Sequence, residues 1–149
     1  MSMPAPASEE TIRVGGDELS FRVTSDDSGG TLVAFEVSMP PGGGPPMLHR
    51  HDPFELYRVD EGELTFYLED ADARTEGPGA VVAIPGGLEH TVRNESDGEA
   101  RAFVVLAPGA AMERFIREAG SLGEAEMTSV LALASAHGIE LTRAVGETN

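Results

Sequence analysis

The chain has 149 residues, enough for one domain with a buried core. Its formal net charge of −16 and its scattered arginines argue against nucleic acid or an anionic membrane as a partner. Cysteine is absent, which excludes disulfides, thiolate nucleophiles and cysteine-based zinc sites.

The N-terminal segment, residues 1–10, reads MSMPAPASEE, and its composition predicts a disordered lead. It lacks the basic and apolar regions of a secretory signal, and no apolar run approaches the ~20 residues of a membrane span. We therefore expect a cytoplasmic protein. Residues 11–149 are predicted to form a single domain, with a barrel over about 11–107 and a helical segment over about 108–149.

Short apolar alternations between residues 11 and 107 predict β-strands, and a PPGGGPP loop at residues 40–46 interrupts them. The alternating residues 55–59 and 64–68 flank a turn at 60–62, which predicts a β-hairpin. The continuous apolar run at 80–84 predicts a strand buried on both faces. Strands at this density indicate an all-β antiparallel sandwich or barrel.

After Pro108 the apolar residues recur with a helical period, which predicts amphipathic helices over residues 110–119 and from 127 to about 136. Gly120 is the expected end of the first helix, and His137-Gly138 of the second. Residues 139–141 are predicted as a final short strand. Helices this short need tertiary packing, so we expect them to cover one end of the barrel.

Three potential metal ligands, His49, His51 and Glu55, are spaced by two and four residues. Side chains at even offsets share one face of an extended chain, so they should converge, and His90 offers a fourth ligand downstream. The His49–His51 pair alone, or His90 alone, is often structural, but the combination favours a metal site. Imidazole nitrogens with one carboxylate oxygen suit a divalent transition ion and leave positions open for substrate.

These residues also carry a family resemblance, because the chain resembles the cupins over residues 33–106. The first cupin motif reads G-x5-H-x-H-x3–4-E-x6-G and the second reads G-x5-P-x-G-x2-H-x3-N. The sequence matches the first at Gly43, His49, His51, Glu55 and Gly62, and the second at Gly79, Pro85, Gly87, His90 and Asn94. The C-terminal stretches MERFIREAG and LASAHGIEL are similar to the tail of the quercetin 2,3-dioxygenase-like subgroup.

The resemblance implies a jelly-roll-like cupin β-barrel in which His49, His51, Glu55 and His90 bind one divalent transition metal ion. Iron, nickel, manganese, copper, cobalt and zinc all occur in the family, and the ligand types do not choose among them. Many members dimerise, so a homodimer is expected.

Parity along the strands predicts that Met47, Tyr57, Val59 and Leu88 line a mostly apolar substrate pocket, with plain core packing as the alternative for each. His137, at a helix end, is expected to be structural. Whether the C-terminal helices cover the pocket is left open by the sequence.

The leading functional hypothesis is a metal-dependent oxygenase of a small apolar or aromatic enol or phenol, with Glu55 as ligand and catalytic base. One alternative is a metal-dependent isomerase, decarboxylase or cyclase that does not use oxygen. Another is a non-catalytic module that binds a small molecule. The sequence does not identify the metal or the substrate.

Overall fold

The computed structural model describes residues 11–122 and 127–145; the expected N-terminal lead at 1–10 lies outside them. The chain forms eleven strands and three helices within these ranges. The strands are β1 (Thr11–Val14), β2 (Asp17–Val23), β3 (Val33–Met39), β4 (Met47–Arg50), β5 (Phe54–Glu61), β6 (Leu64–Leu68), β7 (Arg74–Glu76), β8 (Val81–Ile84), β9 (His90–Arg93), β10 (Ala100–Ala107) and β11 (Glu140–Ala144). The helices are α1 (Ser25–Ser28), α2 (Ala110–Ser121) and α3 (Met127–Ala136).

The strands form two antiparallel sheets, which confirms the predicted all-β barrel with two short C-terminal helices. The six-stranded sheet has the order β1-β2-β3-β10-β5-β8, and the five-stranded sheet has the order β11-β4-β9-β6-β7. Side chains that alternate along the strands point between the sheets and form the core. Phe21 and Val104 from one sheet and Leu64 and Phe66 from the other are almost wholly buried there. Each such side chain contributes about 1.5–3 kcal/mol by its burial.

The predicted hairpin of β5 and β6 is wrong. Strand β5 pairs with β10 and β8, whereas β6 pairs with β9 and β7 in the other sheet. The turn at Gly62 therefore carries the chain from one sheet to the other. Gly62 has a φ of +71°, and a Cβ there would lie 2.5 Å from the backbone oxygen of Glu99. The alternation identified both strands, but both edges of β5 are occupied by strands that are distant in sequence.

The prediction that residues 80–84 are buried on both faces is also wrong. In β8, Val82 and Ile84 are buried, whereas Ala83 is exposed and Val81 is 56% exposed. The strand lies at the edge of the six-stranded sheet, and only its inner face meets the core. Because the outward-facing residues of this strand are also apolar, the sequence does not show that the strand lies at an edge of the sheet.

Both C-terminal helices lie where the periodicity predicts them, but α2 does not end at Gly120. The glycine lies inside the helix, where an added Cβ would be 2.3 Å from Cγ2 of Ile12 in β1. Close packing on β1, and not helix termination, accounts for the glycine. Helix α3 is followed by the expected turn, with Gly138 at φ +80°, and β11 continues from it. No helix in the described ranges is long and apolar enough to cross a membrane.

The helices close the side of the barrel, not one end as predicted. Helix α2 packs on β1, which is an edge of the six-stranded sheet, and on α3. Helix α3 packs in turn on β11, which is an edge of the five-stranded sheet. The two helices therefore bridge the gap between the sheets.

Candidate metal centre

The predicted ligands come from both sheets and from one loop. His49 in β4 and His90 in β9 are direct partners in the antiparallel register of the five-stranded sheet. Glu55 lies in β5 of the six-stranded sheet, and His51 lies in the short loop between β4 and β5. The chain therefore crosses from the five-stranded sheet to the six-stranded sheet between His49 and Glu55. This crossing brings the predicted ligands together.

A glycine contact fixes the loop that carries His51. The backbone N–H of Gly87 donates to the backbone oxygen of His51 at 2.9 Å. At the neighbouring Gly86, a Cβ would lie only 2.1 Å from the backbone oxygen of Asp52. The Pro85-Gly86-Gly87 segment thus packs directly against the loop of His51, and a side chain at position 86 would force the two loops apart.

The three imidazole rings are oriented by the same kind of backbone contact. In each ring, Nδ1 lies within hydrogen-bond distance of a backbone oxygen, so Nδ1–H is the donor and Nε2 is left to face the interior. The acceptors are the oxygens of Met47 for His49 (3.0 Å), Pro53 for His51 (3.0 Å) and Leu88 for His90 (2.8 Å).

The three histidines form a group that could hold a metal ion. One nitrogen from each ring lies within 4.8 Å of the others. Ligands that bind one zinc-like ion at ~2.1 Å lie at most ~4.2 Å apart, so the group needs only a small contraction. Nε2 of His51 is buried and has no hydrogen-bond partner among the described residues. A buried nitrogen without a partner is unfavourable in itself, and a cation would satisfy it.

Glu55 lies beside this histidine group. Its Oε1 is 3.0 Å from Nε2 of His90 and 3.7 Å from Nε2 of His51, and only 6% of the residue is exposed. Burial alone would raise the pKa of Glu55, but its contacts with the two imidazoles outweigh burial and lower that pKa to about 2. Glu55 is therefore ionised at neutral pH and can act as a ligand or as a proton acceptor.

The pKa values of two histidines shift in opposite directions. Burial and the nearby His90 lower the pKa of His49 to about 4. Burial also acts to lower the pKa of His51, but the Glu55 carboxylate outweighs it and raises that pKa. His49 is therefore neutral at neutral pH, as a metal ligand must be.

The histidine group opens into a cavity of about 460 Å³ between the sheets. Of the four predicted pocket residues, Met47 and Tyr57 line this cavity. Val59 and Leu88 do not: Val59 is fully buried in the core, and Leu88 contributes its backbone oxygen to His90. The parity of Val59 was right, but the cavity does not extend to its depth in the barrel.

The C-terminal helices supply one wall of the cavity, which answers the question that the sequence left open. Six of their side chains line it, all of them apolar. They are Met112, Phe115 and Ile116 from α2, and Val130, Leu131 and Ala134 from α3.

Two charged residues that the sequence analysis did not single out, Asp17 and Arg93, also line the cavity. No local pattern marks them, since each belongs to an ordinary strand. His137, by contrast, does not line the cavity, and its Nε2 contacts Oε2 of Glu118 at 2.8 Å. That contact supports the structural role expected for His137.

The family model described as a cupin domain matches residues 35–106. A comparison with curated proteins finds no match. The matched residues contain the histidine group, Glu55 and both glycine-rich loops, so the family match and the site coincide. The match covers just under half of the chain, and it indicates a similarity to cupin domains over these residues.

Several solved structures are similar to part of this chain. The polyketide cyclase RemF from Streptomyces resistomycificus is 22% identical with a TM-score of 0.60, over 72% of this chain and 80% of that chain. A predicted oxalate decarboxylase from Thermotoga maritima is 17% identical with a TM-score of 0.62, over 71% and 98%. The DMSP lyase DddQ from Ruegeria pomeroyi is 35% identical over 52% of this chain, with a TM-score of 0.47, and the match spans only 39% of the lyase.

Proposed function

We propose that this chain, which carries a cupin domain over residues 35–106, is a metal-dependent oxygenase acting on a small, mainly apolar enol or phenol. One observation carries the proposal. Three imidazoles, each oriented through its Nδ1, present their remaining nitrogens to a common point on the wall of an apolar cavity. An ionised carboxylate, Glu55, lies beside that point.

His49, His51 and His90 are the residues that would hold a divalent transition ion. Such an ion supplies Lewis acidity toward a substrate oxygen and, if it is redox-active, the electron chemistry of dioxygen use. Glu55 would accept the proton of the enol or phenol O–H, since it is ionised at neutral pH and its contact with His90 holds it beside the histidine group. The proposal also includes Glu55 as a fourth ligand of the ion, through the carboxylate that lies beside the histidine group.

The cavity supports a small apolar substrate. Its volume of about 460 Å³ is in the range typical of small-molecule sites. Apolar side chains from both sheets and both C-terminal helices line it, so the apolar parts of a bound substrate would contact apolar walls. Burial, together with the charges of Glu55 and Asp17, raises the pKa of Tyr57 well above its ordinary value, so its hydroxyl is a neutral hydrogen-bond donor.

The test is oxygen uptake by protein loaded separately with ferrous, manganous, nickel, cupric, cobaltous or zinc ions. The probes are flavonols and 1,3-diketones, which carry an acidic enol. The proposal predicts that at least one redox-active ion gives oxygen consumption matched by loss of the probe, and that His51→Ala abolishes it while His137→Ala does not. No uptake with any pairing would contradict it.

A second candidate is an isomerase, decarboxylase or cyclase that does not use oxygen. The observation that favours it is the buried, ionised carboxylate of Glu55 beside the histidine group, which could move a substrate proton without redox chemistry. The polyketide cyclase and the predicted oxalate decarboxylase that share the fold carry such functions in their names. Turnover under strict anaerobiosis would select this candidate, and binding without any product would favour a non-catalytic role.

A further inference from the structure

The cavity has a second polar region far along the barrel from Glu55. In the six-stranded sheet, Leu106 of β10 pairs with Glu55, whereas Ala100 of the same strand pairs with Met39. The six steps from Ala100 to Leu106 correspond to ~20 Å along the strand at ~3.3 Å per residue, but the gap between the two polar regions is shorter than this. Arg93, which binds the same Gly44 as Asp17, lies only three steps, or ~10 Å, from His90 along β9. Asp17 begins β2 at the level of Met39, because the following residue of β2 already pairs with the residue before Met39.

One carboxylate oxygen of Asp17 accepts a hydrogen bond from the protein, and the other does not. Its Oδ1 accepts a hydrogen bond from the backbone N–H of Gly44 at 3.2 Å, in the loop between β3 and β4. Its Oδ2 has no hydrogen-bond partner among the described residues. Asp17 is largely shielded from solvent and lines the cavity.

Arg93 lies near Asp17 without neutralising it through a direct ion pair. Its Nη1 donates to the backbone oxygen of Gly44 at 2.5 Å, so the same glycine is held from both sides. Burial raises the pKa of Asp17 to about 6, while the Gly44 contact and the charge of Arg93 act to lower it. Asp17 is thus mainly ionised at neutral pH, in spite of its unfavourable burial.

Holding the loop does not require a carboxylate. One oxygen atom of an asparagine or serine would accept the Gly44 N–H and would avoid the desolvation of a charge. The second oxygen is therefore unexplained by the fold. Asp17 lines a cavity whose walls are otherwise mostly apolar, and its second oxygen is available there as an acceptor for a hydroxyl group.

We propose that Asp17 is a positioning residue that accepts a hydrogen bond from a hydroxyl group at the end of the substrate remote from the histidine group. The substrate class is then an elongated, mainly apolar molecule with a hydroxyl at each end. This inference rests on the proposed function only in taking the histidine group as the place where the other end binds.

The experiment measures binding by titration calorimetry with two pairs of probes of different length. The pairs are 4-hydroxybiphenyl with 4,4′-dihydroxybiphenyl, and 4-hydroxystilbene with 4,4′-dihydroxystilbene. In the unmodified protein, we expect the dihydroxy member of at least one pair to bind roughly tenfold more tightly, as for a hydrogen bond to a charged group. Asp17→Asn keeps an oxygen for Gly44 and should reduce this preference to within about twofold.

Glu18→Gln is the matched control, because Glu18 is the next residue of β2 and does not line the cavity. It should retain the full preference, and thermal unfolding should show that both variants are folded. Equal binding within both pairs, no binding of any probe, or a preference that survives in Asp17→Asn would each overturn the inference. Oxygen uptake without the preference would leave the proposed function standing, and the preference without turnover would contradict only the proposed function.

Discussion

Nε2 of His90 lies 3.0 Å from Oε1 of Glu55, although the two residues belong to different sheets. The contact spans the interior of the barrel where most neighbouring side chains are apolar. In such surroundings a polar contact is strong when it is satisfied and unfavourable when it is not. The pair therefore couples the chemistry of the site to the packing of one sheet on the other.

Glu55→Gln should separate proton transfer from metal binding. Glutamine keeps the shape of the side chain but cannot accept a proton at neutral pH, so we expect turnover to fall by about 10²–10⁴-fold. The three histidines remain, so the metal content should stay close to that of the unmodified protein. Glu61→Gln, at the exposed end of the same strand, is the control. Full activity of Glu55→Gln would exclude Glu55 as the base.

Gly86→Ala should weaken metal binding from outside the ligand group. Its Cβ would lie 2.1 Å from the backbone oxygen of Asp52 and push away the loop that carries His51. We expect at least a tenfold loss of metal affinity and a loss of about 1–3 kcal/mol in the free energy of unfolding. Gly77→Ala is matched, because a Cβ there would meet nothing within 4 Å. Equal behaviour of the two variants would show that the loop contact does not position His51.

Asp17→Asn should stabilise the metal-free protein at neutral pH. The pKa of Asp17 is raised from 3.8 to about 6 on folding, so its contribution to stability is fully present below pH 3.8 and is lost as pH rises through 6. Asparagine does not ionise, so the variant avoids this loss in the free energy of unfolding, which amounts to up to ~3 kcal/mol. The measurement is the difference in the free energy of unfolding between variant and unmodified protein, followed from pH 4 to pH 7.

The lowered pKa of His49 changes stability in the opposite direction over part of this range, but it is common to both proteins and cancels in the difference. Glu18→Gln again serves as the control, since it removes a neighbouring carboxylate that does not line the cavity. A difference between Asp17→Asn and the unmodified protein that stays constant with pH would show that Asp17 does not carry a raised pKa.

Leu131→Trp should block the cavity without disturbing the metal. Leu131 lies in the wall that α3 contributes, so a larger side chain there would occupy ligand space. We expect the affinity for 4-hydroxybiphenyl to fall by at least tenfold in calorimetry, with unchanged metal content. Leu122→Trp places the same group on an exposed position after α2 and should have no effect on binding. Unimpaired binding by Leu131→Trp would show that ligands do not use this cavity.

The His49–His51 pair of the candidate metal site could be predicted from the sequence because its spacing is local. His49 and His51 are two residues apart, and the register of β4 with β9 places His90 directly beside His49. The strands could be predicted equally well, since alternation is a property of a single segment. The two C-terminal helices followed from their period for the same reason.

The pairing of strands and the extent of the cavity could not be predicted in this way. The β5–β6 turn resembles a hairpin, but the partners of β5 are β10 and β8, and only the full fold shows which edges are taken. Asp17 and Arg93 both bind the backbone of Gly44. This shared contact brings the two residues together beside the cavity, although they are far apart in sequence. Val59 has the parity of a pocket residue but lies too deep in the core to line the cavity.

The most direct test of the metal centre is elemental analysis of the protein, as purified and after loading with each candidate divalent ion, followed by extensive dialysis. The histidine group predicts about one transition ion per chain, retained by His137→Ala and lost from His49→Ala, His51→Ala and His90→Ala. A protein that retains no transition ion under any loading condition, or single-histidine variants that keep it in full, would contradict the assignment of these three residues as a metal site.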